Sequence, residues 1–209
     1  MEAVPFIGIV RHRIGIDGKG VTTLAAFHGC PLRCRYCLNH ACLESPDNLY
    51  HYTPESLFER VRIDNLYFLA TGGGLCFGGG EPLLRTDFLR RFREICGDTW
   101  RLTAETSLAV PRTAVEEAAE LIDDFIVDIK DCNPAIYKTY TGRSNRTAIG
   151  NLRWLLKKKG AEHITVRVPL IPNYNNDADR DNTVQKLKQW GVTQIDKFEY
   201  VVRDSASNI

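Results

Sequence analysis

Three cysteines fall within eight consecutive positions, Cys30, Cys34 and Cys37, in the stretch HGCPLRCRYCLNH over 28–40. Cysteine thiolates hold zinc or iron–sulfur clusters. The C-x3-C-x2-C spacing offers three ligands from one loop and no obvious fourth. A structural zinc ion closes a four-ligand shell, so its last ligand here would be His28, His40 or Cys42. Zinc frameworks usually bring a second paired hook, and this chain has none. Three thiolates also fit a [4Fe–4S] cube that leaves one iron without a protein ligand. An open position on a metal is where a substrate or cofactor binds.

A loop of this kind needs elements to position it. VTTLAAF (21–27) predicts a strand running straight into it. Thr53-Pro54 predicts a helix start, with a hydroxyl cap and proline at the first position, continuing to about residue 68 and stopping at Thr71-Gly72-Gly73. Further strands are expected at 75–78, 100–106, 124–130, 163–171 and 197–202. Helices are expected at about 86–96, 111–121, 134–140, 146–159 and 178–190. About six strands alternating with helices predict an α/β fold with a parallel sheet, either an open doubly wound sheet or an incomplete barrel. Runs such as FIVDI and ITVRVPLI are apolar enough for strands covered on both faces. Ligands in such folds bind at the carboxyl ends of the strands. The polar and glycine-rich residues gather there: the cysteine loop, Gly79-Gly80-Glu81, Glu105 and Ser107, then Asp128 and Lys130. Arg167 lies within the fifth of these strands.

Composition narrows the alternatives. The 209 residues carry 27 basic and 26 acidic side chains, net +1, which argues against bulk nucleic-acid or membrane-surface binding. No apolar run reaches the length of a spanning helix, and the start lacks the pattern of a secretory signal, so a cytoplasmic protein is expected. A single domain over 1–209, with its core at about 14–203, suits the length. Cys42, Cys76, Cys96 and Cys132 are scattered and read as small buried hydrophobes.

Cys30, Cys34 and Cys37, with Tyr36 before the third cysteine, resemble the cysteine loop of the radical SAM superfamily. Gly79-Gly80-Glu81-Pro82, about 45 residues on, resembles that superfamily's GGE stretch. Ile16-Asp17-Gly18-Lys19-Gly20, Cys37-Leu38-Asn39, Asp128-Ile129-Lys130 and Tyr140-Thr141-Gly142 narrow the resemblance to glycyl-radical-enzyme activases of the pyruvate formate-lyase activating enzyme type. The similarity covers most of 14–200. Lys19 and Leu38 replace the usual proline and histidine, and Glu105 stands where aspartate is usual. The sequence ends at Ile209 without a later LPYH-like segment, which raises the expectation that docking on a partner completes the site.

The resemblance implies a partial (β/α)6 TIM-like barrel and an enzyme with one [4Fe–4S] cluster on Cys30, Cys34 and Cys37. It also implies S-adenosylmethionine as cofactor, cleaved to a 5′-deoxyadenosyl radical that takes hydrogen from a glycine of a partner glycyl radical enzyme. Under that reading Gly79, Gly80 and Glu81 meet the cofactor's methionine ammonium, although Glu81 could equally cap the next helix. Asp128 and Lys130 engage its sulfonium and carboxylate ends, unless they form an internal salt bridge. Glu105 serves the ribose or amine. Arg167 points inward onto a cofactor carboxylate or an acidic neighbour. Tyr36 packs beside the adenine or shields the cluster. Residues 38–78 hold only Cys42 and Cys76, so a second cluster is absent and electrons come from flavodoxin or ferredoxin. A monomer is expected. The competing readings are a radical SAM enzyme acting on another peptide or small molecule, and a non-catalytic metal-binding interaction module.

Overall fold

A computed structural model describes residues 2–44 and 48–200. One eight-stranded sheet organises them, in the order β3-β1-β2-β4-β5-β6-β7-β8. Six strands run parallel: β2 (Val21–Phe27), β4 (Gly74–Gly79), β5 (Arg101–Thr106), β6 (Asp124–Asp128), β7 (Ile164–Leu170) and β8 (Gln194–Glu199). Their sheet order is their chain order, and helical crossovers join them, which is the partial (β/α)6 TIM-like barrel. The crossovers are α1 (Pro54–Val61) with α2 (Asn65–Thr71), then α3 (Thr86–Cys96), α4 (Arg112–Leu121), α5 (Pro134–Thr141) with α6 (Arg146–Lys159), and α7 (Asp177–Gln189).

The two faces of the sheet differ in kind. Side chains alternate along a strand, so Ala25, Phe27, Leu75 and Phe77 join one large core with Leu57, Phe68, Phe88 and Phe92 from the helices. Leu24, Ala26 and Cys76 form a separate small cluster on the other face, which also carries Glu105, Asp128 and Arg167. Burying each aromatic of the outer layer contributes roughly 1.5–3 kcal/mol, so the helix-facing layer holds the barrel together while its bore stays polar. Cys42, Cys76, Cys96 and Cys132 are all buried, as their scattered spacing predicts.

Three expectations need adjustment. β1 (Val4–Ile14) and β3 (Tyr50–Tyr52) extend the sheet with antiparallel strands not foreseen. β1 contains Pro5, Gly8 and two register shifts, with His12 at φ 57°, so its period-two pattern is broken. The helix expected from Thr53 is two helices joined by a 3-10 turn at Arg62–Asp64. Its start is a capping box between Thr53 and Ser56, and its end is Gly72 at φ 66°. β8 begins three residues before the expected strand at 197, and Val201 and Val202 lie outside the described residues. No helix among the described residues is long and apolar enough to cross a membrane.

Candidate active site

The carboxyl ends of the parallel strands open into a cavity of about 540 Å³. Cys30, Cys34 and Cys37 form part of its wall. Their loop leaves β2 and is pinned twice by backbone. Gly29 N donates to Cys42 O at 2.9 Å, while Arg33 N and Arg35 N donate to Thr141 O and Tyr140 O at 2.9 and 3.1 Å. The last carbonyls of α5 lack partners within their own helix, so the loop satisfies them and is fixed in return. Burial pushes the Cys30 and Cys34 thiols up, to about 12 and about 11. The adjoining Cys42 thiol holds Cys37 down at about 6 against its burial.

Two of the three possible fourth zinc ligands are engaged elsewhere, whereas Cys42 adjoins Cys37. His28 Nε2 bonds to Glu44 O and His40 Nδ1 to a Glu44 carboxylate oxygen at 2.8 Å, so both turn toward Glu44. Among the described residues no three histidine, cysteine, aspartate or glutamate side chains converge on a point suited to a single ion. A four-iron cluster is a body with separate corners, and here three of its irons would each take one thiolate while the fourth stays open. Three thiols spaced around a cavity wall fit that donor set.

The glycine turn after β4 is built against the same loop. Gly80 N donates to Phe27 O at 2.9 Å and Glu81 N to Gly29 O at 2.8 Å, which extends the β2–β4 ladder beyond both strands. A Cβ on Gly79 would meet Ala26 Cβ at 2.7 Å, and one on Gly80 would overlap Gly29 O. The bare backbone that the sequence offers to a cofactor is therefore first required by the chain itself. Asn39 Nδ2 donates to Gly79 O at 3.2 Å, tying the far end of the cysteine loop to the turn. Glu81 is buried and caps the following 3-10 turn through Leu83 N. It also accepts from Thr106 Oγ1, Ser107 N and Ser107 Oγ, binding the ends of β4 and β5 together. Burial pushes its carboxyl up, opposed by those hydrogen bonds.

Charged side chains form the floor. Lys130 Nζ lies 2.8 Å from Asp128 Oδ2 and 2.9 Å from Tyr200 Oη, so the internal salt bridge is what forms. Burial alone would lower the Lys130 pKa, but Asp128 and its other neighbours outweigh it and raise it well above its ordinary value. Asp128 Oδ1 is buried without a partner. Arg167 finds acidic neighbours inside the protein: its Nη1 pairs with Glu105, its Nε lies 3.4 Å from Asp196, and its Nη2 donates to Ile16 O. Burial, with Asp128 close by, pushes the Glu105 carboxyl up to about 7 against the pull of Arg167. Beneath lies a second hollow of about 350 Å³ at the opposite mouth, and Ile16, Arg167 and Asp196 are walls of both.

Cys30, Cys34, Cys37, Gly79, Gly80, Glu81, Glu105, Asp128, Lys130 and Arg167, all singled out from the sequence, share this one cavity. Tyr36 does not line it. Its ring packs on Tyr140 and Tyr174 behind the loop, at 6.2 and 5.6 Å, and its hydroxyl meets Asn173 Nδ2. Cavity residues missed from the sequence include Arg13, Asp196, Phe198 and Tyr200. Asp196 and Phe198 lie on one face of β8, and Tyr200 continues their period of two just beyond its end, a signal that was available.

Comparison with known proteins identifies the family and the fold. A family model described as the radical SAM superfamily matches residues 25–187. The (2S)-3-sulfopropanediol dehydratase activating enzyme of Klebsiella oxytoca is 35% identical, over 77% of this chain and 69% of that protein. The pyruvate formate-lyase 1-activating enzyme of Escherichia coli K12 is 28% identical, over 78% of this chain and 67% of its own. Among solved structures, Streptococcus suis SuiB bound to S-adenosylmethionine superposes with a TM-score of 0.65 at 13% identity. It covers 88% of this chain, which spans only 43% of SuiB. The structure of anSMEcpe with bound AdoMet gives 0.60 at 20% identity, over 86% of this chain and 50% of that one.

Proposed function

Because the chain belongs to the radical SAM superfamily, an enzyme class that uses a [4Fe–4S] cluster and S-adenosylmethionine, we propose that it is an activase that installs a glycyl radical on a partner enzyme. The observation that carries this reading is the convergence of three thiols, a buried unpartnered carboxylate oxygen and a half-buried glycine turn on one cavity. At about 540 Å³ that cavity lies within the roughly 300–1,000 Å³ range of small-molecule sites.

A [4Fe–4S] cluster held here would supply the electron for reductive cleavage of S-adenosylmethionine to methionine and a 5′-deoxyadenosyl radical. The chain's own groups hold and orient. Cys30, Cys34 and Cys37 are the thiolate ligands. Asp128 Oδ1, with no partner of its own, accepts from a cofactor N–H or O–H. Lys130, fixed by Asp128 and Tyr200, presents a buried cation to the cofactor carboxylate. Glu81 reaches the cofactor indirectly, by fixing the glycine turn, since its oxygens are occupied by protein donors. Glu105 and Arg167 pair across the floor of the cavity.

Electrons come from an external carrier, flavodoxin or ferredoxin, because the residues between the loop and the glycine turn hold only Cys42, which adjoins Cys37, and Cys76, too few for a second cluster. The test is anaerobic reconstitution with iron and sulfide, reduction with dithionite in the presence of S-adenosylmethionine, and assay of 5′-deoxyadenosine. Production is expected in the unaltered protein and its loss in Cys34→Ala. A glycyl-radical doublet in electron paramagnetic resonance after mixing with a glycyl radical enzyme would establish the activase role. Nucleoside formation with no radical on any such partner would instead favour another peptide or small-molecule substrate.

A further inference from the structure

The cysteine loop has two sides. Cys34 faces the cavity, while its immediate neighbours Arg33 and Arg35 are exposed on the outer side and line no part of that cavity. Lys138 on α5 and Arg143 and Arg146 just beyond it are exposed as well. The loop and α5 are joined by the backbone bonds from Arg33 and Arg35 described above, which bring these charges onto one corner. Two guanidiniums are held on the loop itself: Arg33 Nη1 donates to Cys30 O at 2.8 Å and Leu32 O at 3.2 Å, and Arg143 Nε to Pro31 O at 3.4 Å.

Some exposed arginines elsewhere meet a carboxylate, as Arg90 does with Glu117 and Arg91 with Glu55 and Glu94, while Arg60, Arg85 and Arg153 stand singly and apart. Among the described residues, none of the five basic groups at this corner has such a partner. Glu44, at the end of the loop, is occupied by His40. In a chain of net charge +1, an uncompensated basic corner is a local choice. Fields from such a corner steer an oppositely charged partner and raise its encounter rate.

We propose that this corner is the docking surface for a small acidic electron-carrier protein, resting on the radical SAM reading above. On the cavity side the cluster faces its cofactor, so an electron must arrive from the other side of the loop. The outer side gathers five basic groups that have no carboxylate partner among the described residues. The carrier hands over one electron per encounter: its reduced cofactor is oxidised by one electron, the cluster is reduced by one, and no bond changes at this surface.

The test uses the triple variant Arg35→Glu, Lys138→Glu, Arg146→Glu, which spares Arg33 and Arg143 because they brace the loop. Binding of oxidised flavodoxin is measured by surface plasmon resonance at low and high ionic strength. In parallel, reduction of the reconstituted cluster is followed by its visible absorbance with photoreduced flavodoxin and with dithionite. We expect the variant to bind flavodoxin and accept its electrons about 10-fold or more slowly at low salt. Dithionite reduction should stay within about twofold, and added salt should slow the unaltered protein toward the variant as the charges are screened. Arg60→Glu, an exposed change on α1, should alter neither. Flavodoxin binding unaffected by charge reversal would overturn the proposal, as would an equal slowing with dithionite, which would make the corner a structural support of the loop. Failure of dithionite to yield 5′-deoxyadenosine from the unaltered, fully loaded protein would strike the underlying enzymatic reading, while the binding arm would still report on docking.

Discussion

Glu105 and Glu81 are both carboxylates on the cavity wall, and their surroundings give them different work. Glu105 shares Arg167 with Asp196 and lies near Asp128, and its carboxyl titrates near 7 instead of its ordinary 4.5. The folded chain therefore binds that proton more tightly than the unfolded chain does. The stability this contributes is fully present below about pH 4.5, declines as pH rises, and is gone above about 7. In urea titrations from pH 4.5 to 8, the unaltered protein should lose stability relative to Glu105→Gln as pH rises. A constant difference between the two would refute the assignment. Glu81 accepts four hydrogen bonds from Leu83, Thr106 and Ser107. Glu81→Ala strands those donors in a buried place, and a loss of about 2–4 kcal/mol is expected by chemical denaturation.

At the scale of elements, the site depends on how closely β2 and β4 approach beyond their last paired residues. Gly80 lies where any Cβ would overlap Gly29 O, at the root of the cysteine loop. Gly80→Ala should cost about 1–3 kcal/mol by overpacking. It should also lower the iron retained after reconstitution, because the loop is the part able to yield. The cap of α1 is a contrasting case. Thr53→Ala removes an exposed capping hydroxyl remote from the cavity. A loss of about 1 kcal/mol in thermal or urea melts, with unchanged iron content, would separate the support of the fold from the support of the site.

Across the whole molecule, the barrel is an apolar shell around a polar bore. β4 is almost wholly buried, whereas β3 and β8, at the two ends of the sheet, are largely exposed. Local opening is easiest where few apolar contacts must break. Amide hydrogen exchange should therefore be slowest in β4, β5 and β6 and fastest in β3 and β8. The binding cavity then has a rigid side, bearing the glycine turn, and a softer side formed by Asp196, Phe198 and Tyr200. Protection of β8 equal to that of β5 would contradict this division.

Local chemistry in the sequence determined the six parallel strands, most helix limits and ten of the residues that share the cavity, since strand and helix periods and a three-thiol loop are written in consecutive residues. α3 and α6 begin and end where their apolar spacing places them. β1 was hidden because bulges, a proline and a glycine interrupt its alternation, and only pairing with β2 and β3 makes it a strand. The partners of the charged residues were likewise not local. Arg167 and Glu105 are 62 positions apart, and Lys130 and Tyr200 are 70. Whether a buried cation meets a carboxylate of its own chain or one of a cofactor depends on which strand ends stand opposite. That choice belongs to the tertiary structure, because closing the sheet around the bore brings those ends together.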